Sequence, residues 1–321
     1  RDETRFYHRA VYSPDQVRQR LVHFWANHFF VSIGFSGEGM MVADHIERAI
    51  ESNLDNTFET MLWNVTTSPA MTNYLDNHVS AGERSDHVRW AKKKGKQAGL
   101  NDNLARELLE LHTVTPEMKY TEADIHNVAK VLSGWGMDIT GRRKNLKDYT
   151  GAFEHSHNKK RAERGKIKVF GLTLGSQFGT NEKALPDLIN YLAKHPLTAR
   201  HLSEKLCTHF ISDVPSESDI ALVQNAWNQS GGSLPEVHRT VTRLAWDRLD
   251  HTTKFTWPMT WLMQAIRSSG ASILDGWDDV HKKINERHVS QVWKISKELG
   301  QGFWFGDLQP NGFSLSKEDW V

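Results

Sequence analysis

Apolar residues recur at three- and four-residue spacing along most of this 321-residue chain, which restricts it to a fold built by packing amphipathic helices. Val17, Leu21, Phe24 and His28 fall on one face behind Ser13-Pro14, a start with proline at the first helical position, and predict a helix to about Val31. The same spacing predicts helices from Met40 to Asn53, through Phe58, Met61, Leu62 and Val65, and from Pro69 to Leu75 behind Ser68. A stretch of high helix propensity runs from Asp102 to His112 and stops before Thr115-Pro116. Thr121 and Asp124 read as a capping box for a helix reaching Leu132 and closed by Gly134. Later helices are expected at Leu185–Ala193, Thr198–Phe210, Ser216–Asn228, Met259–Ser268 and Trp277–Leu299, with one more from a Ser233/Glu236 capping box to Trp246.

Two stretches depart from this rhythm. Gly82 to Gly99 carries Arg84, Arg89, Lys92, Lys93, Lys94 and Lys96 with few apolar residues, and reads as an exposed basic loop. Residues 136–179 hold Gly141, Gly151, Gly165, Gly171, Gly175 and Gly179, and read as a long irregular insertion with one short hairpin around Ile167, Val169 and Leu172. The expected fold is therefore mainly α: a multi-helical single domain over residues 1–321, with a loop insertion at 136–179.

Charge and cysteine content narrow the function classes. With 40 Lys+Arg against 39 Asp+Glu the net charge is +1, too balanced for a dedicated nucleic-acid binder. Cys207 is the single cysteine, so no intrachain disulfide and no cysteine-based zinc or iron–sulfur site can form. No apolar run is long enough for a membrane span, and the charged opening Arg1-Asp2-Glu3-Thr4-Arg5 shows no signal peptide. The seventeen histidines raise the question of metal binding.

Asn103, Arg106, Glu107 and Glu110 form a polar stripe on an otherwise apolar helix, and His112 closes the segment. Two carboxylates one turn apart can share a metal or a proton, and a buried one with a raised pKa is a candidate acid or base. The alternative is a solvent-facing network in which Arg106 pairs with Glu110. His155 and His157 would point to one side of an extended segment and could bind one metal ion, with His28, His112 or the glutamates supplying further ligands. The alternative is a pair of solvated loop histidines, and for His28 a satisfied core position. Lys159, Lys160 and Lys168 belong to a basic run suited either to an anionic polymer or to solvent.

Gly99-Leu-Asn-Asp-Asn-Leu-Ala-Arg-Glu-Leu-Leu-Glu-Leu-His-Thr113 resembles the signature of the bacterial family known as domain of unknown function 1800. Phe24-Trp-Ala-Asn-His-Phe29, Ser68-Pro-Ala-Met71 with Tyr74-Leu-Asp-Asn77, and Tyr120-Thr-Glu-Ala-Asp124 with Gly134-Trp135 follow its order. So do His195-Pro196 with Thr198-Ala-Arg200, then Lys205-Leu206, Phe210, Leu299-Gly-Gln301 and Pro310-Asn-Gly-Phe313. The chain departs from the family pattern at Asn158, where an acidic residue is usual, and in the longer basic insertion before Lys168. It looks trimmed at both ends relative to that family.

The resemblance implies exported bacterial proteins, some joined to adhesion or carbohydrate-binding modules and often encoded beside a sulfatase-like protein. It therefore implies a periplasmic or extracellular location. The expected function is an exported hydrolytic enzyme acting on a carbohydrate or similar polymer, with a divalent transition metal, zinc or iron, as candidate cofactor. In that reading Glu107 or Glu110 is general base or ligand, Arg106 an anion clamp, and His112, His155, His157 and His28 are ligands or acid/base groups. Asn103, Lys159, Lys160 and Lys168 would contact substrate, a polysaccharide being the candidate. The alternative is a non-catalytic extracellular matrix or partner-binding scaffold.

Overall fold

Several of the helices begin at a side-chain cap, and others start without one. The structure, a computed structural model, describes residues 2–32, 39–137, 155–271, 273, 277–278, 283–284, 287–302, 310–315 and 317–320. Helices α1 (Asp2–Tyr12) and α2 (Gln16–His28) are followed by α3 (Gly39–Asp44), which continues as a π-helical turn over His45–Ile50. Next come α4 (Phe58–Thr66), α5 (Pro69–Tyr74), α6 (Asp86–Lys93), α7 (Asn103–Glu110) and α8 (Glu122–Leu132). The second half adds α9 (Ala184–Ala193), α10 (Pro196–Phe210), α11 (Glu217–Ser230), α12 (Leu234–Asp247), α13 (Pro258–Ser269) and α14 (Arg287–Glu298). Side chains of Asp15, Thr57, Ser68, Ser85, Thr121 and Ser216 accept from backbone amides in the first turns of α2, α4, α5, α6, α8 and α11. The fold is mainly α, as the periodicity requires.

Three boundaries and one cap differ from the sequence expectation. Helix α2 stops at His28 rather than Val31. The supposed basic loop contains α6, because Ser85 caps it, Lys and Arg are good helix formers, and Ala91 is an apolar anchor on its buried side. Ser233 precedes α12 without making a side-chain cap bond. The long helix expected from Trp277 begins only at Arg287, since Trp277–Asp278 (β5) pairs antiparallel with Lys283–Ile284 (β6).

The Thr121/Asp124 box forms as expected. Thr121 Oγ1 accepts from the Asp124 amide at 3.2 Å, and Asp124 Oδ2 accepts from the Thr121 amide at 2.9 Å. Thr121→Ala is expected to cost about 1 kcal/mol, read as a lowered urea midpoint with an unchanged slope.

One hydrophobic core takes residues from every α-helix except α6, and Trp25 is among its largest fully buried side chains. The Trp25 ring stacks on Phe29, with centroids 5.9 Å apart, and its indole N–H donates to His238 Nε2 at 2.9 Å. The tail returns to this core: both backbone groups of Phe313 bond to the Asn27 side chain, at 2.7 and 2.9 Å. Gly312 makes that approach possible. It sits at φ +69°, and a Cβ there would lie 2.4 Å from the Asn27 carbonyl oxygen.

Within the insertion, Trp135–Met137 (β1) pairs with His155–His157 (β2), and Ile167–Val169 (β3) forms the expected hairpin with Leu172–Leu174 (β4). Its two-residue turn, Phe170-Gly171, has φ of +53° and +75°, the positive pair that tight hairpins need. Residues 138–154 of the insertion lie outside the described residues. The described part packs on α8 and α9. Asn181 secures it: its Nδ2 shares its two hydrogens among the carbonyls of Lys130, Val131 and Ser133, at 2.7, 2.8 and 2.8 Å, and its Oδ1 accepts from His157 Nε2 at 2.9 Å. A side chain from a distant loop thus closes the C-terminal end of α8.

Candidate functional site

Three segments bring basic side chains together inside the bundle. His28 is the last residue of α2, and His112 follows the end of α7. Because α7 ends at Glu110, the amides of Leu111 and His112 both donate to the Glu107 carbonyl at 3.0 Å, and the chain turns inward. His112 is consequently 1 % exposed, although Glu110, two residues earlier, faces solvent. His201 and Lys205 lie one turn apart on α10 and complete the group.

Hydrogen bonds fix the roles of these rings. His28 Nε2 lies 3.3 Å from the His112 carbonyl oxygen, which can only accept, so this nitrogen carries the proton. His28 Nδ1 is then the acceptor for Lys205 Nζ at 3.0 Å. His201 Nε2 donates to the Leu111 carbonyl at 3.3 Å. The His28 ring centroid lies 5.9 Å from that of His112 and 6.2 Å from that of His201. Both ring nitrogens of His112 are buried without a hydrogen-bond partner.

Burial sets the electrostatics. It holds the His112 imidazole down at about 3 and His201 at about 4, and keeps His28 well below the usual histidine range, with the Lys205 charge adding in each case. Burial also lowers the Lys205 ammonium to about 8, and no ion pair joins it to a carboxylate among the described residues. His28 and His112 form the floor, and the half-buried His201 and Lys205 connect it to solvent. Chemically this is a neutral imidazole cluster around an amine that can exist unprotonated near neutrality.

The polar stripe of α7 is arranged differently. Asn103 and Glu110 are exposed, and Arg106 pairs with Glu122 of α8 at 3.0 Å and with Asp102 at 3.3 Å, rather than with Glu110. Glu107 is half-buried, and burial followed by the nearby Glu110 raises its pKa. Tyr74 is pushed up to about 12 by burial and the Glu107 charge, and burial with Glu110 also raises Tyr120. Glu107 and Glu110 thus lie near the half-buried Tyr120 and the buried Tyr74, while His112 is turned into the core.

His155 and His157 both pack beside Trp135, with centroids 6.1 and 4.8 Å away. His155 is exposed, and His157 gives its Nε2 proton to Asn181. Neither joins His28, whose ring neighbours are Phe24, Trp25, Phe29, His112 and His201. Among the described residues no three His, Cys, Asp or Glu side chains are placed to hold one metal ion, so the expected His155/His157/His28 set is not assembled. In the basic run, Lys159 pairs with Glu182 at 3.8 Å, Arg161 donates to the Val79 carbonyl and Arg164 pairs with Asp86. Lys160 and Lys168 stay exposed.

His201 and Lys205 were missed in the sequence as site residues. Their signal was a four-residue spacing on one helix, where a lysine reads as solvated.

A family described as Protein of unknown function (DUF1800) matches residues 1–321. Comparison with curated proteins and with solved structures gave no match.

Proposed function

The chain belongs to the DUF1800 family over its whole length, and for this member we propose a hydrolase whose working base is Lys205, held by His28 beside His112 and His201. The observation that carries this reading is the half-buried amine of Lys205, bonded to His28 Nδ1 with no carboxylate partner among the described residues, next to a buried His112 ring with both nitrogens unsatisfied. Unsatisfied buried nitrogens are costly in a fold that does not use them.

In the reaction, neutral Lys205 takes a proton from water as the water oxygen forms its bond to the substrate carbon. The bond to the leaving group breaks, and the ammonium returns the proton to the departing atom. His28 orients the amine through Nδ1, and its own Nε2 proton is fixed on the His112 carbonyl. His112 is the group left to hydrogen-bond the substrate or its developing charge. An exported location and a carbohydrate polymer as substrate belong to the same proposal; they rest on the family resemblance and on the Tyr74–Tyr120 phenols beside Glu107 and Glu110. No helix among the described residues is long and apolar enough to cross a membrane.

The test is hydrolysis of a panel of chromogenic esters, amides and glycosides and of soluble polysaccharides by the wild type, Lys205→Met, His112→Ala and Glu107→Gln. Activity should rise as the pH passes through about 8, where Lys205 loses its proton. Lys205→Met should lower kcat/KM by about a hundredfold or more without changing the circular dichroism spectrum. Activity that survives Lys205→Met but is lost in Glu107→Gln would move the site to the carboxylates of α7 and overturn this assignment.

A further inference from the structure

A cavity of about 350 Å³ lies among α1, α2, α10, α12 and α13. Its walls combine apolar surface from Ala10, Val17, Phe210, Ala245 and Met263 with the cationic side chains of Arg20 and Arg267, and no Asp or Glu lines it among the described residues. The Arg20 guanidinium sits over the Phe210 ring, 5.9 Å from its centroid. Its Nε is buried without a partner, and no carboxylate pairs with it among the described residues. Arg267 is anchored from the other wall, where its Nη1 donates to the carbonyls of Val11 at 2.6 Å and Ser13 at 3.3 Å. His23, also on the lining, is held neutral by burial and by Arg20, so it neither cancels nor supplies charge at neutral pH.

Arg20 is partly buried, with its Nε fully enclosed, and a guanidinium taken out of water without a counter-charge is costly and is usually paired. Among the described residues no carboxylate supplies the missing partner, and the cavity beside the cation, mainly apolar in surface with Gln16, Gln19, Thr242, Thr260 and Gln264 also on its lining, is at the lower end of small-molecule site volumes. We propose that this cavity binds a small organic monocarboxylate, its anionic head on Arg20 and its apolar body against Phe210 and Met263. Guanidinium forks match a carboxylate with two parallel donors, which favours this head group over a neutral one. The proposal is independent of the hydrolase reading, since none of the four groups of that cluster lines the cavity.

Isothermal titration of the full chain with octanoate, octan-1-ol and inorganic phosphate tests it. Octanoate should bind with one site per chain, and the alcohol and phosphate about tenfold or more weakly. Arg20→Gln should weaken octanoate by about tenfold or more, and Ala245→Phe, which fills the cavity from α12, should abolish binding. Equal binding of the alcohol would reduce the site to an apolar cavity, and equal binding of phosphate to a general anion site; either overturns the proposal. So does octanoate binding that survives both variants, or its absence from the wild type. Should a variant fail to fold, the octanoate-to-octanol ratio in the wild type still decides.

Discussion

Between pH 6.5 and about 5 this protein is expected to lose its native structure cooperatively. His23, His28, His45, His112, His209 and His238 are all buried, and burial lowers the pKa of each below the ordinary 6.5. A histidine whose native pKa is depressed stays neutral in the fold while the unfolded chain takes up a proton. The unfolded state then binds more protons, and stability falls as the pH drops below 6.5. Each such group removes about 1.4 kcal/mol per pH unit once its unfolded form is protonated. Several acting together exhaust a typical stability of roughly 5–15 kcal/mol within one or two units.

The geometry explains why these rings resist protonation. His238 Nε2 accepts from the Trp25 indole, His28 Nδ1 accepts from Lys205, and a proton on either nitrogen breaks the bond. His45 bonds Ser68 Oγ at 2.8 Å and the Phe29 carbonyl at 3.0 Å, filling both its nitrogens. Lys205 acts at the opposite end of the scale. Its native pKa of about 8 lies below the ordinary 10.5, so stability is gained as the pH rises through that interval. Tryptophan fluorescence followed from pH 8 to pH 4, with urea midpoints at pH 7.5 and 6, measures the effect. Native fluorescence retained at pH 4 would refute it.

Asn181→Asp is the substitution expected to destabilise the fold most. The two amide hydrogens of Asn181 are shared among three carbonyls at the end of α8, and the side chain is fully buried. An aspartate would place an anionic oxygen against those three carbonyl oxygens, without water to screen it, at a cost of roughly 4 kcal/mol or more. Asn181→Ala removes the donors without adding charge and should cost about 2–3 kcal/mol, because the carbonyls are left unpaired. The expected order of urea midpoints is therefore wild type, Ala, Asp, with amide exchange at the end of α8 accelerated in both variants. An Asp variant as stable as the wild type would show that the loop does not hold α8.

These two effects mark where the sequence is readable. The Thr121 box, the Ser68-Pro69 start and the β3–β4 hairpin depend on residues within a few positions of one another, and each forms where the sequence predicts it. The Asn181 contact spans about fifty residues and leaves no periodic trace, since a lone asparagine after a threonine looks like any turn. The candidate site was half legible. His28 and His112 stood out by position, but the inward turn of His112 depends on α7 ending at Glu110, and helix ends are set by competing bonds rather than by periodicity. Lys205 was hidden because a lysine on a helix reads as solvated, and only the meeting of α2 with α10 shows its amine against His28.

Cys207 lies fully buried on α10, two residues beyond Lys205, and burial pushes its thiol up to about 12. Thiolate, the reactive form, is therefore almost absent at working pH, and reagents meet no other sulfhydryl in the chain. A cysteine placed at exposed Trp246, at the end of α12, would be the one site a maleimide dye could reach. Such a label would report movements of the wall of the Arg20 cavity in the otherwise native protein.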